Sequence, residues 1–366
     1  GVPFLSAKYA VRRDQWKDVS LEILHHPTHT FNLDRMIHAM KASLEYFSAQ
    51  FGPYQFRQLR IVEFPRYASF ARAHPHTIAY SEGSAFITRI NPGDVDRTFF
   101  VTAHEAAHQW WGHQVMGARV EGAALLSETL AQYGAMMVME KTYGPQSVRD
   151  FYRFEMDRYL RGRSSFATEN SLLRVADQPH VYYHKGAVAM YTLREHIGEE
   201  RVNVALRRYL EKHRAGKPPF PTSRDLYAEL RAVTPDSIQY LLTDLFEDIT
   251  LWEVRADSAH VAPNGAAGYE VTLTVTGLKV KADSSGKEVA VPMNDLVDVG
   301  VFAPGEGWLE KPLYLQKHRI RSGKQTITIT VPREPARAGI DPHRKLIQRR
   351  TVDNIVDLKV VSPPPP

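Results

Sequence analysis

The sequence predicts an α+β protein, with a mostly helical unit over the first two-thirds and a small β-sandwich after it. Three observations carry this. Apolar residues recur at helical spacing in most windows up to about residue 247, and Gly, Pro or capping residues bound those windows. Near Thr250 the pattern changes to strict alternation of apolar and polar residues. At 366 residues the chain is also too long for one ordinary core, so more than one packed unit is expected.

The elements follow in order. Asp34 is a candidate N-cap for a helix whose Met36, Met40, Leu44 and Phe47 share a face, ending at Gly52-Pro53. Gln58 to Phe64 reads as a short strand stopped by Pro65, and 78–90 as an extended segment interrupted by Ser81-Glu82-Gly83-Ser84. A helix is expected from about Asp96 to Val115, followed by a loop punctuated by Gly117 and Gly122. Ser127 reads as the N-cap of the next helix, which runs through Leu130, Tyr133, Met137 and Met139 to Tyr143-Gly144-Pro145. Helical patterns continue over 146–161, 184–197, 199–213, 222–233 and 236–247. Beyond Thr250, Tyr269, Val271, Leu273 and Val275 alternate with polar residues, and the run from Gln325 to Val331 repeats that period of two. The expected division is a flank at 1–33 left from a preceding domain, a helical unit at 34–250, a β-sandwich at 251–361 and a Pro-rich tail at 362–366.

Composition narrows the function classes. With 43% hydrophobic and 24% charged residues the chain reads as globular, and no stretch approaches the roughly 18–20 apolar residues of a membrane span. It opens at Gly1 and closes on four prolines, and so reads as a piece of something longer. The absence of cysteine excludes disulfides and thiolate metal sites. The net charge of +5 and pI near 9.2 are mildly basic, but Lys and Arg are interspersed with acids. The densest clusters, Arg207-Arg208 and Arg344-Lys345, read as solvated faces, so no nucleic-acid partner is expected.

The chemistry is concentrated in His104-Glu105-Ala106-Ala107-His108. On a helix the two histidines stand at i and i+4, so both imidazoles meet on one face. They supply two ligands of a catalytic zinc site, and Glu105 between them can serve as general base toward water. The third ligand has two candidates. His113 lies five residues beyond His108, about 140° further round a continuing helix, and points away. Glu128, in the first turn of the next helix, is better placed, because a helix–loop–helix hairpin returns that turn to the motif. An acid there is also favoured by the helix dipole alone.

At this point the chain resembles the M1, or gluzincin, aminopeptidases. Their segment His-Glu-x-x-His-Gln-Trp-x-Gly is matched by His104-Glu105-Ala106-Ala107-His108-Gln109-Trp110-Trp111-Gly112, and their ligand-bearing Asn-Glu-Gly-Phe-Ala stretch by Ser127-Glu128-Thr129-Leu130-Ala131. The family's usual gap between second His and Glu is eighteen residues, whereas Gln109 to Ser127 makes nineteen. An extra residue inside a helix would swing a ligand by about 100°, so the loop holding Gly117 and Gly122 must absorb it. A Tyr-x-Lys-Gly motif is matched by Tyr183-His184-Lys185-Gly186, with Tyr182 as the rival tyrosine. The family's Gly-x-Met-Glu-Asn string is absent, but Tyr80-Ser81-Glu82-Gly83-Ser84-Ala85-Phe86-Ile87 overlays that region and places Glu82 on its glutamate.

The resemblance implies a thermolysin-like catalytic domain and a zinc-dependent aminopeptidase with one Zn2+ per chain. His104, His108 and Glu128 would hold the metal, Glu105 and Tyr183 would be catalytic, and Glu82 would bind the substrate α-amine, with Glu121 the fallback. More narrowly, the chain looks like the peptidase half of bacterial membrane proteins that fuse permease-like segments to such a domain. That implies peptide substrates, a membrane-anchored parent and an extracytoplasmic, periplasmic location. The alternatives are a zinc endopeptidase with the same centre, or a non-catalytic peptide-binding module.

Overall fold

The computed structural model describes residues 5–91, 93–214, 216–305 and 312–360. The expected tail at 362–366 lies outside them. The chain divides into two compact units. The first comprises Gly1–Arg163 with Leu172–Pro235, and the second Ser164–Ser171 with Asp236–Pro366.

The first unit contains β1 (Ala10–Trp16), β2 (Val19–His25), α1 (Leu33–Phe51), β3 (Gln58–Phe64), β4 (Ala71–His74) and β5 (Thr77–Ser81). These are followed by α2 (Arg97–Ala107), α3 (Glu128–Tyr143), α4 (Pro145–Ser165), α5 (Gly186–Ile197), α6 (Glu199–His213) and α7 (Ser223–Val233). The strands form one sheet in the order β1-β2-β3-β5-β4, with β2, β3 and β5 parallel and both edge strands antiparallel. Residues 10–25, within the expected flank, therefore pair into this unit's sheet. Val19, Leu21, Ile23 and His25 alternate buried with more exposed neighbours and carry β2 into the sheet. The short edge strand β4 has no apolar alternation to announce it; its place comes from pairing with β5.

Three helix ends position the site. α1 starts at Leu33, one residue ahead of the expected cap, and Asp34 lies in its first turn facing Arg12. α2 is capped as expected, with the Phe99 N–H donating to Asp96 at 2.9 Å, but it ends at Ala107 rather than Val115. Trp110 and Trp111 are fully buried there, Trp110 donates from its indole to the Gly52 carbonyl, and Gly112 takes a φ of 121° that stops a helix. His108 keeps helical angles at the C-cap, so the i, i+4 pairing survives. α3 is buried along most of its length, from Thr129 to Met139 without a break, and packs against α1, α2 and α5.

The second unit begins before the change of pattern at Thr250. It contains α8 (Gln239–Leu242), β6 (Ile249–Pro263), β7 (Tyr269–Ala282), β8 (Glu288–Val291), β9 (Asn294–Phe302), β10 (Pro312–Arg321), β11 (Gly323–Val331), β12 (Arg337–Ile340) and β13 (Ile355–Val360). Residues 236–247 join it because Asp244 and Asp295 together neutralise buried Lys279, at 2.9 and 3.0 Å. All eight strands form one sheet, in the order β10-β9-β12-β13-β6-β7-β11, with β8 on β7. β12 also lies against β6 and β7, so the sheet folds back on itself around Val271, Leu273, Val299 and Ile340. A helical unit and a β-rich unit make the chain α+β.

Candidate metal centre and substrate cavity

Three ligand atoms converge between α2 and the start of α3. The Nε2 atoms of His104 and His108 are 3.1 Å apart, and each is 3.4 Å from the same Glu128 oxygen. Zinc with arms of about 2.05 Å needs ligand atoms about 3.3 Å apart along the edges of its tetrahedron. The trio meets that spacing, and its two imidazoles and one carboxylate are a zinc donor set, so the residues present fit the ion. His108 donates from Nδ1 to the Trp111 carbonyl at 3.0 Å, which turns the Nε2 lone pair inward.

The electrostatics favour positive charge at this point. Burial alone would raise the Glu128 carboxyl, but hydrogen bonds from the two histidines hold it far below the usual range. Burial alone would lower His108, but Glu128 lifts it to about 9. Burial also pushes the Glu105 carboxyl up, against the pull of His104 and His108, which suits a proton acceptor.

The extra residue between His108 and Glu128 falls in the connector, outside both helices. Gly122 makes that connector possible. It has a φ of 83°, and a Cβ there would lie 2.2 Å from the Leu173 carbonyl oxygen. Ser127 occupies the N-cap position without a capping hydrogen bond, and Glu128 turns its carboxylate to the histidines instead.

Two adjoining cavities open on the trio. A smaller one, about 360 Å³, is lined by Ala71 to Ala73, Glu105, His108, His113, Glu128 and Tyr183, among others. A larger one, about 690 Å³, adds His104, Gln132, Glu155 and His184, and again includes Glu105 and Tyr183. Tyr183 faces both, whereas Tyr182 lines neither. Burial, then Glu128, keeps the Tyr183 phenol protonated far above its usual range, so it is available as a donor. His113 does not point away as expected, because α2 ends before it; it lines the smaller cavity. Burial lowers its pKa to about 4, and it is not one of the converging ligands.

Glu82 stands apart from the others. Its carboxylate accepts the Arg66 N–H at 3.1 Å and approaches His29, and it is not among the residues lining either cavity. The π-like turn that starts at Glu82 presents Gly83 and Ser84 to the cavity and sends the acid to the other side. Glu121 pairs with Arg174 at 3.2 Å, both side chains being exposed.

Sequence reasoning missed Glu155. It is 1% exposed, lines the larger cavity, and accepts from His184 at 2.7 Å and Gln132 at 3.2 Å. A signal was present: Glu155 interrupts the apolar stripe Phe151, Tyr152, Met156, Tyr159 of α4, where an acid needs a reason.

Comparisons with known proteins bear on the family. The model of the peptidase family M1 domain matches residues 31–244. The Tricorn protease-interacting factor F2 of Thermoplasma acidophilum is 23% identical over 219 residues, which cover 57% of this chain and 28% of that protein. Human endoplasmic reticulum aminopeptidase 2 is 26% identical over 189 residues, covering 48% and 20%. A crystal structure of Legionella pneumophila aminopeptidase A in complex with aspartic acid superposes with a TM-score of 0.63 at 16% identity, covering 94% of this chain and 38% of that one. The matched stretch thus spans less than a third of the length of these curated relatives. The family match covers more than half of the chain and contains the converging trio, and the chain belongs to peptidase family M1.

Proposed function

We propose that this chain carries the catalytic centre of a zinc aminopeptidase that releases N-terminal residues from peptides. The observation that carries the reading is the convergence of His104, His108 and Glu128 at zinc spacing beside Glu105 and Tyr183. His104, His108 and Glu128 would hold one zinc, which when bound would supply Lewis acidity toward water and the scissile carbonyl. Glu105 takes the proton of the attacking water and passes it to the leaving amine. Tyr183 donates its phenol proton in a hydrogen bond to the developing oxyanion. The backbone of β4, at the sheet edge along the smaller cavity, is available to align an extended peptide.

A free α-ammonium needs a carboxylate in the cavity wall. Glu105 and Glu128 have other roles and Glu82 is outside the wall, so Glu155, held by His184 and Gln132, takes that part. Free peptides are the substrates, and the parent protein is membrane-anchored with this part on the extracytoplasmic face. That location rests on the resemblance to permease-fused peptidases. Among the described residues no helix is long and apolar enough to cross a membrane.

The position of Glu82 favours one second reading, a zinc endopeptidase with the same centre and no amine anchor. Matched peptides with free and acetylated N-termini separate the two. The aminopeptidase reading expects free-amine substrates to be cut at least about 10-fold faster, on the strength of one charge-assisted bond. Equal rates would replace it with the endopeptidase.

A further inference from the structure

We propose that His29, Glu63 and Glu82 form a second divalent-cation site in the first unit, independent of the peptidase reading and separate from the trio above. The three residues come from different segments: His29 from the loop between β2 and α1, Glu63 from β3, and Glu82 from the turn after β5. One ligand atom from each lies within 4.8 Å of the others.

The carboxylates are oriented for this. Glu63 is 4% exposed, and one of its oxygens accepts the His26 N–H at 2.5 Å. Glu82 likewise uses one oxygen for the Arg66 N–H at 3.1 Å. In each case the other oxygen is left facing His29 Nδ1, at 2.5 Å for Glu63 and 3.9 Å for Glu82. Backbone donors that fix one oxygen and present the other are how outer contacts arrange carboxylate ligands.

Charge points the same way. Two carboxylates share one imidazole, which can neutralise one of them. Among the described residues, no Lys or Arg pairs with Glu63, and Arg66 reaches Glu82 only at 3.8 Å. A divalent ion neutralises both and takes the place of the proton between His29 and Glu63. Reaching edges of about 3.3 Å requires the His29–Glu63 separation to open and the His29–Glu82 separation to close, each by less than about 1 Å, and brings together two carboxylate oxygens that already lie within 4.8 Å of each other. His29 and Glu82, with side chains 21% and 23% exposed, can make that adjustment by rotation. One imidazole nitrogen with two carboxylate oxygens suits zinc, cobalt or manganese better than calcium, which prefers oxygen ligands throughout.

The site has a structural consequence. Gly83, Ser84 and Thr88, next to Glu82, line the larger cavity. The loop that supplies His29 also reaches that wall, because Asn32 donates to the Ala85 and Thr88 carbonyls at 2.5 and 2.7 Å. A cation at His29, Glu63 and Glu82 clamps the wall to β3 and leaves the reacting groups untouched.

Metal counting tests this. The protein is stripped with a chelator, reloaded with Zn2+, desalted, and measured by mass spectrometry of the metal. Two zinc ions per wild-type chain are expected, one in His104→Ala, and one in His29→Ala/Glu82→Gln. Zinc should raise the melting temperature of His104→Ala but lose that effect when the second pair of substitutions is added. If the double variant unfolds, Glu82→Gln alone should weaken the second site at least 10-fold in a zinc titration of His104→Ala. One zinc in wild type that survives His29→Ala/Glu82→Gln, or two in that variant, overturns the proposal. A single zinc lost in His29→Ala but kept in His104→Ala would support this site and overturn the metal assignment of the proposed function.

Discussion

Gly186 rests against Thr129. A Cβ on Gly186 would fall 2.4 Å from the Thr129 hydroxyl oxygen, which donates to the Tyr182 carbonyl at 2.5 Å. Thr129 follows Glu128 and Tyr182 precedes Tyr183, so this contact sets the distance between the Glu128 carboxylate and the Tyr183 phenol. Gly186→Ala should push the tyrosine segment away from α3 and lower kcat by about 10- to 100-fold, with zinc content unchanged. Wild-type kcat in that variant would show that the contact does not position Tyr183.

Metal binding and proton transfer should separate. Glu128→Ala should lower zinc content by one ion per chain relative to wild type, whereas His113→Ala should leave it intact. Glu105→Gln keeps shape but cannot accept a proton, so zinc should be retained while turnover falls at least about 100-fold. Full turnover in Glu105→Gln would remove the general-base role.

The two adjacent tyrosines should behave differently. Tyr183 lines both cavities and its phenol is held protonated, so Tyr183→Phe should reduce kcat by roughly 100- to 1000-fold with little change in KM. Tyr182→Phe should cost far less. The reverse ranking in steady-state kinetics would move the oxyanion role to Tyr182.

Selectivity for a free amine should follow the cavity wall. Glu155→Gln keeps a hydrogen bond but loses the charge, and should reduce the preference for free over acetylated peptides about 10-fold. Glu82→Gln should leave that ratio where it is. If Glu82→Gln abolishes the preference and Glu155→Gln does not, the anchor is Glu82 after all.

The second unit should weaken in acid through Asp298. Burial alone would raise its carboxyl, but Lys345 and Lys317, at 3.0 and 2.8 Å, hold it at about 2. A depressed folded-state pKa gives stability that is full above the unfolded value near 3.9 and is lost as pH falls through 2. The loss should be roughly 2 kcal/mol between pH 4 and 2. Thermal unfolding across that window should show it, and Asp298→Asn should flatten it while lowering stability at neutral pH. An unchanged slope in Asp298→Asn would assign the acid sensitivity to other groups.

What could be read from the sequence was what depends on local spacing. His104 and His108 share a helix face by periodicity, and a strand at Gln58–Phe64 and alternation in β7 and β11 follow from residue type and a period of two. The α+β class followed from the same periodicities. Tertiary structure decided what depends on distant partners. α2 stops at Ala107 because Trp110 and Trp111 find a core and Gly112 turns, which brings His113 to the cavity instead of away from it. Edge strand β4 exists through its pairing with β5, and its own residues do not announce it. Glu82 and Glu155 show the limit best. Both are acids next to apolar runs, but only chain packing sends one to His29 and the other into the cavity wall. Side-chain direction at a turn or in a buried stripe is set by what packs against it, and that information lies elsewhere in the chain.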